Sequence, residues 1–353
     1  MTTSTEQLRF LVFGAGAIGT YVGGSLALNG AQVVFIEKPE VVKKLNQDGL
    51  HLELLGQDHQ VNTLVVDSIE AALLTGTFTA GIVAIKAFDT AGFAEQLKPF
   101  KGSIPPIISL QNGIENEALL GEVIGIDNVI SGSVTTAVGR KDIGNIVLER
   151  LRGIGLAGSN SITPYIAQIF DNAGLNCRYY RDAASMKWSK MITNLQANAS
   201  AAILDYTPSE VFSNPITYHL EVRQLREALH VMAVNHIGVT NLPGAPVRLM
   251  AGGLNYLPEW ISRILAEKIL GKGRGNKLPS FMVDLRAGKK LTEVDYLNGA
   301  VVRAGQKAGI ATPVNQAFTH ILSGIASGAI PRQEFSNNPG ALAAAIHEWE
   351  NKE

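Results

Sequence analysis

A short apolar run, Leu8–Phe13, passes directly into Gly14-Ala15-Gly16-Ala17-Ile18-Gly19, and a helix-compatible stretch follows from Thr20 to Asn29. A strand feeding a helix through G-x-G-x-x-G is built for a dinucleotide pyrophosphate. Gly14 permits the tight turn, Gly16 lets backbone approach the phosphates, and Gly19 lets helix and strand pack closely. The backbone amides of Ala17 and Ile18 would open the helix, where free N–H groups and the dipole favour negative charge. The next apolar run, Val33–Ile36, ends at Glu37, 23 residues after Gly14, where a carboxylate would meet the adenosine ribose. A glycine-rich turn without a ligand is the alternative, and it would not explain the correct context on both sides.

The length, 353 residues, suggests two domains. With 46% hydrophobic residues, 17% charged and a net charge of −1, the chain has ample core, and its near-neutral charge argues against a general nucleic-acid surface. Cys177 is the single cysteine, so no disulfide forms within one chain and a cysteine metal site is not expected. The polar start, Met1–Gln7, does not read as a secretory signal, and no apolar run approaches the roughly 18 residues of a membrane span. A cytoplasmic protein without nucleic-acid or membrane partners is expected.

Strand patterns at Leu8–Phe13, Val33–Glu37, Ala80–Lys86, Ile107–Leu110 and Val129–Val134 alternate with helical patterns near Thr20–Asn29, Pro39–Gln47, Ala91–Leu97 and Glu115–Val123. Such alternation predicts a parallel, doubly wound sheet. Ile146–Glu149 and Gly153–Leu156 read as antiparallel strands flanking that sheet. A helix over Thr163–Asn172 and a run at Cys177–Tyr180 complete the domain. After Arg181 helical periods dominate: Asp182–Leu204, Leu220–Asn235, Leu257–Leu270, Glu293–Ala308 and Asn315–Ala326. The fold class expected is α/β, an N-terminal Rossmann-type doubly wound sheet (1–181) followed by an all-helical C-terminal domain (182–353), with a small-molecule cleft between them. The segment Gly271–Lys277 reads equally as a solvated linker or as a basic loop near an anionic substrate.

One helical pattern suggests a reaction. Lys190, Asn194 and Asn198 are spaced i, i+4, i+8 and would line one stripe of a continuous helix. A polar outer face is one reading. The other is a lysine general acid flanked by two orienting amides, because a positioned ammonium both stabilises and protonates the oxygen of a carbonyl that accepts hydride.

With those residues in view, the sequence resembles the ketopantoate reductase (2-dehydropantoate 2-reductase) family over roughly residues 8–325. The resemblance rests on ordered motifs: Gly14–Gly19; Ala84-Ile85-Lys86-Ala87-Phe88-Asp89-Thr90; Leu110-Gln111-Asn112-Gly113; Trp188-Ser189-Lys190 with Asn194 and Asn198; and Pro279–Asp284 followed by Thr292–Gly299. It implies a reductase that turns 2-dehydropantoate into pantoate for pantothenate and coenzyme A supply. It implies Lys190 as general acid and Glu293 as the acid beside it. Asn194, Asn198 and Ser280 would bind substrate, and Lys86 and Asn112 would contact the nicotinamide half of the cofactor. Each has a structural alternative: a sheet-edge charge for Lys86, a turn pair for Asn112-Gly113, a favourable first helical turn for Glu293, a cap for Ser280.

Two departures from the family pattern bear on specificity. NADP(H) is the cofactor that the resemblance implies, usually met by an arginine after the second strand, whereas here the pair is Glu37-Lys38. Glu37 favours a free ribose diol and NAD(H), while Lys38 would attract a 2′-phosphate as a point charge. Three residues before Ser280 stands Lys277 where an asparagine is expected, with Asn276 one step earlier as the candidate substrate contact. A small 2-keto acid is therefore a firmer expectation than ketopantoate itself. The alternatives are a D-2-hydroxyacid dehydrogenase of the mandelate type and, in another class, a nucleotide-sensing protein without catalysis. Pairing of the helical domains into a homodimer is also open.

Overall fold

Side chains of the first strand alternate between two dry faces. Phe10 and Val12 enter one apolar cluster, and Leu11 and Phe13 enter a second, as a strand covered on both sides requires. The computed structural model describes residues 8–267 and 278–350 and places this strand inside a large sheet. Two units emerge. One ends at Lys187 and takes in Leu242–Ala245; the other comprises Trp188–Asn241 and the chain from Pro246 on.

In the first unit the strands are β1 (Arg9–Phe13), β2 (Gln32–Ile36), β3 (Leu50–Leu54), β4 (Gln57–Val61), β5 (Leu64–Val66), β6 (Ala80–Val83), β7 (Ile107–Ser109), β8 (Val129–Val134), β9 (Ala137–Asp142), β10 (Asn145–Arg150), β11 (Ile154–Ala157) and β12 (Cys177–Tyr180). Its helices are α1 (Ala17–Leu28), α2 (Pro39–Asp48), α3 (Ile69–Leu73), α4 (Thr90–Leu97), α5 (Asn116–Ile124) and α6 (Thr163–Phe170). The main sheet has the order β12-β11-β8-β7-β6-β1-β2-β5. Strands β5 to β8 run parallel, β11 pairs antiparallel with β8, and β12 lies parallel to β11. The order reverses between β1 and β6, the point where open α/β sheets bind ligands beyond their strand ends.

The expected alternation is present, with one correction. The segment 146–149 does not flank the main sheet. It belongs to β10 of a separate four-stranded sheet, β4-β3-β10-β9, whose strands β3, β9 and β10 pack on α1. The hairpin β3–β4 escapes sequence reading because Gln57–Val61 is almost wholly polar. Its two-residue turn uses Leu55 and Gly56, both with positive φ (52° and 80°), the backbone of a tight hairpin.

Helix α7 (Ala183–Leu195) starts in the first unit and enters the second. Then follow α8 (Ala199–Leu204), α9 (Pro208–Ser213), α10 (Pro215–Val234), α11 (Val247–Tyr256), α12 (Glu259–Ala266), α13 (Ser280–Arg286), α14 (Val294–Ala308), α15 (Pro313–Ser327) and α16 (Pro339–Glu350). The second unit is helical, apart from short turns, among the described residues. The long α10 meets α14, α15 and α16. Helix α16 buries Leu342 and Ile346 completely, sets Trp349 against His320 at 5.2 Å, and pairs Glu350 with Arg223.

A continuous helix over 182–204 is not formed. The chain breaks after Leu195, Ala197 takes a left-handed φ of 43°, and Asn198 becomes the N-cap position of α8. The single stripe expected for Lys190, Asn194 and Asn198 is thereby interrupted before its last member. The cause is tertiary: two buried side chains of α10 satisfy the broken helix ends. Gln224 donates to the Leu195 carbonyl at 3.2 Å, and the Glu221 carboxylate accepts the Ala197 N–H at 2.8 Å.

Candidate active site

Three loops meet at the carboxyl ends of β1, β6 and β7. The first is the glycine turn. Gly14 has φ 98°, and a Cβ there would reach Ile85 at 3.3 Å, so the turn lies directly against the loop after β6. A Cβ on Gly19 would overlap the Gly14 carbonyl at 1.8 Å, which makes glycine obligatory for this helix-to-turn approach. Gly16 is the N-cap of α1, has no side-chain capping bond, and faces open space where a Cβ would stand. Ala17 and Ile18 open the helix, and its first turn carries no acidic residue. The amides of this first helical turn, which carries no acidic residue of its own, fit a pyrophosphate group.

Glu37 follows β2 immediately. Its carboxylate accepts the Ala15 N–H at 2.5 Å and the Lys38 N–H at 3.2 Å, so it is held against the glycine turn. Lys38 is exposed at the N-cap of α2. Lys86 is half-buried and begins the turn after β6, and Asn112 is exposed in the turn after β7. These two turns are stitched together by Gln111. Its side-chain amide donates to the carbonyls of Ile85 (3.3 Å) and Lys86 (3.4 Å) and to Thr90 Oγ1 (2.7 Å). Asn116 in turn donates to the Asn112 carbonyl at 2.7 Å.

Lys187 is the residue that the sequence reading missed. It is 5% exposed. Its ammonium donates to the carbonyls of Gln111 (2.8 Å) and Gly132 (3.3 Å) and pairs with the buried Glu117 carboxylate at 2.8 Å. The available signal was its place between Met186 and Trp188, on an apolar stretch where a solvated lysine is out of place.

In the second unit the substrate-side candidates divide. Asn198, buried, donates through Nδ2 to the Asn194 carbonyl (3.1 Å) and to Ser280 Oγ (3.3 Å), and its Oδ1 accepts the Phe281 N–H (3.3 Å). Ser280 is exposed, one position inside α13, and does not cap it; Pro279 holds the N-cap. Asn194 and Lys190 are half-buried on α7. Glu293 is 4% exposed and stands at the N-cap of α14. Asn276 and the basic segment 271–277 lie outside the described residues. No cluster of metal-ligating side chains occurs among the described residues, and no described helix is long and apolar enough to cross a membrane.

Relatives share this arrangement of the chain. The family model "Ketopantoate reductase PanE/ApbA" matches residues 10–160, and "Ketopantoate reductase PanE/ApbA C terminal" matches residues 182–326. A 2-dehydropantoate 2-reductase of Archaeoglobus fulgidus is 26% identical over 325 residues, 91% of this chain and 98% of its own length. That of Pyrococcus horikoshii is 27% identical over 313 residues, 87% and 94% of the two chains. Among solved structures, a PanE/ApbA family ketopantoate reductase from Ralstonia eutropha JMP134 superimposes with a TM-score of 0.76 at 24% identity, over 92% of this chain and all of its own. A D-mandelate dehydrogenase in ternary complex with NADH and anilino(oxo)acetate gives 0.75 at 21%, over 91% and 99%. With both family models matched in order across most of its length, the chain belongs to the ketopantoate reductase family of oxidoreductases.

Proposed function

We propose that this enzyme reduces a small 2-keto acid to the 2-hydroxy acid with a reduced nicotinamide dinucleotide, and that 2-dehydropantoate is the substrate, in the cytoplasm. The observation that carries the reading is the meeting of Asn198 with Ser280, residues 82 apart in the chain, whose side chains form one hydrogen-bonding group. The Ser280 hydroxyl, exposed and oriented by the Asn198 amide, is a neutral donor suited to a carboxylate. The Archaeoglobus fulgidus and Pyrococcus horikoshii relatives carry the name 2-dehydropantoate 2-reductase, which supports the choice of acid.

The glycine turn and the first turn of α1 hold the pyrophosphate; Lys86 and Asn112 face the nicotinamide half. When bound, the reduced nicotinamide supplies the hydride. Lys190 holds a proton and delivers it to the carbonyl oxygen as charge develops there, and Glu293 orients the ammonium. Asn194, Asn198 and Ser280 fix the carboxylate, so that the carbonyl carbon is presented in one orientation. Glu37 favours NADH. Its carboxylate is tied to the Ala15 amide, where it would accept the ribose hydroxyls and repel a 2′-phosphate.

The experiment is steady-state reduction of 2-dehydropantoate, 2-ketoisovalerate and benzoylformate with NADH and with NADPH, in the wild type and Lys190→Ala. The substitution is expected to lower kcat by about 10²–10⁴, the usual worth of a general acid, with the cofactor Kd unchanged. Normal turnover in Lys190→Ala would remove Lys190 from the mechanism. Preference for benzoylformate would move the enzyme to the mandelate class, and cofactor binding without turnover of any acid would make it a sensor.

A further inference from the structure

We propose that Glu221, on α10, is a positioning residue of the substrate clamp: it fixes the break between α7 and α8 and so turns Asn198 toward Ser280. The proposal rests on the reading above that Asn198 and Ser280 hold the substrate carboxylate.

Ala197 is fully buried and left-handed, a conformation that L-residues avoid because Cβ crowds the following carbonyl. No solvent reaches its N–H, so that donor needs a partner from the protein. Glu221, 1% exposed, supplies it: one oxygen accepts the Ala197 N–H at 2.8 Å and the other accepts the Ser200 hydroxyl at 2.5 Å. Two donors from the start of α8 thus converge on a single group with two acceptors. One turn along α10, Gln224 donates to the carbonyl of Leu195, the last residue of α7. The face of α10 therefore carries one acceptor for the helix that begins and one donor for the helix that ends. Without the break, Asn198 would continue the α7 stripe. With it, the Asn198 side chain bridges the Asn194 carbonyl to Ser280 and the Phe281 amide.

The test compares Glu221→Ala, Glu221→Gln and the double variant Ala197→Gly/Glu221→Ala in the full chain. Glutamine keeps an acceptor for the Ala197 N–H, and Ser200 rotates to accept from the new amide. Glycine adopts the left-handed conformation without strain. In Glu221→Ala the KM for 2-dehydropantoate is expected to rise at least tenfold while that for NADH stays within twofold. Glu221→Gln should lie within threefold of the wild type, and the double variant should recover at least threefold over Glu221→Ala. Amide hydrogen exchange at Ala197 should accelerate in Glu221→Ala and stay protected in Glu221→Gln. An unchanged substrate KM in Glu221→Ala, an equal rise for both substrates, or no recovery with glycine overturns the proposal. If Glu221→Ala does not fold, a tenfold loss in Glu221→Gln overturns it and near-normal KM in that variant upholds it. A wild type that reduces no 2-keto acid overturns the functional reading and the clamp with it; exchange at Ala197 then still reports whether Glu221 holds the break, so the two failures are distinct.

Discussion

Lys187 and Lys190 stand one helical turn apart on α7 and have opposite surroundings. Lys187 is sealed among two carbonyls and a carboxylate, whereas Lys190 is half-buried. Sequence singled out Lys190, because only that lysine stands in the Trp188-Ser189-Lys190 pattern with asparagines at helical spacing. It missed Lys187, whose partners Gln111, Glu117 and Gly132 come from distant parts of the chain. Glu37 shows the reverse case. Its place at the end of β2 follows from counting residues, and the structure adds the bond to Ala15. At this scale the prediction concerns cofactor choice. Wild type should show the higher kcat/KM with NADH, and Glu37→Ala should shift the NADPH/NADH ratio of kcat/KM toward NADPH by about tenfold, corresponding to roughly 1.4 kcal/mol. A wild type that already prefers NADPH, with a ratio unmoved by the substitution, would refute the assignment of Glu37.

Helix ends carry much of the specific polar structure in the second unit. Helix α15 begins at Pro313 with no side-chain cap of its own from Thr312. Glu227, reaching over from α10, accepts the N–H groups of Val314 (2.9 Å) and Asn315 (3.0 Å) and the Asn315 side-chain amide (2.7 Å). Removing it by Glu227→Ala orphans buried donors and should destabilise the fold by about 1–3 kcal/mol in urea unfolding. Burial pushes the Glu227 carboxyl above its ordinary 4.5, outweighing the three donors that favour the charged form. The folded chain therefore binds this proton more readily than the unfolded chain does. Its contribution to stability is complete below about pH 4.5 and declines as pH rises through the raised value. Glu227→Gln should flatten that part of the stability–pH curve; a curve identical to the wild type's would contradict the assignment. The break between α7 and α8 is the same phenomenon, with partners supplied again by α10. The start of α15 is signalled locally by Pro313, whereas the break is not, since Leu195–Ala199 contains neither glycine nor proline to announce a stop.

For the whole molecule, each unit has its own kind of interior. The first rests on a sheet covered on both faces, and the second on helices gathered around α10. The glycine turn belongs wholly to the first unit, so nucleotide affinity should appear as stability. At an NADH concentration about 100 times Kd, the folded state should gain roughly 2.7 kcal/mol by mass action. Melting temperature is then expected to rise steadily with the logarithm of NADH concentration above Kd. A melting temperature indifferent to both NADH and NADPH would remove the nucleotide from the first unit.

Sequence by itself determined the alternation that makes the parallel sheet, the glycine turn with Glu37 after the second strand, and the largely helical second half. These are signals of period and spacing, carried by neighbours in the chain. Tertiary structure alone decided the second sheet, whose polar strand β4 has no apolar pattern, and the interruption of the Lys190–Asn198 stripe. It alone joined Asn198 to Ser280 and set Lys187 against Gln111. All of these depend on buried polar groups finding partners dozens of residues away, and no local pattern encodes which partner that is.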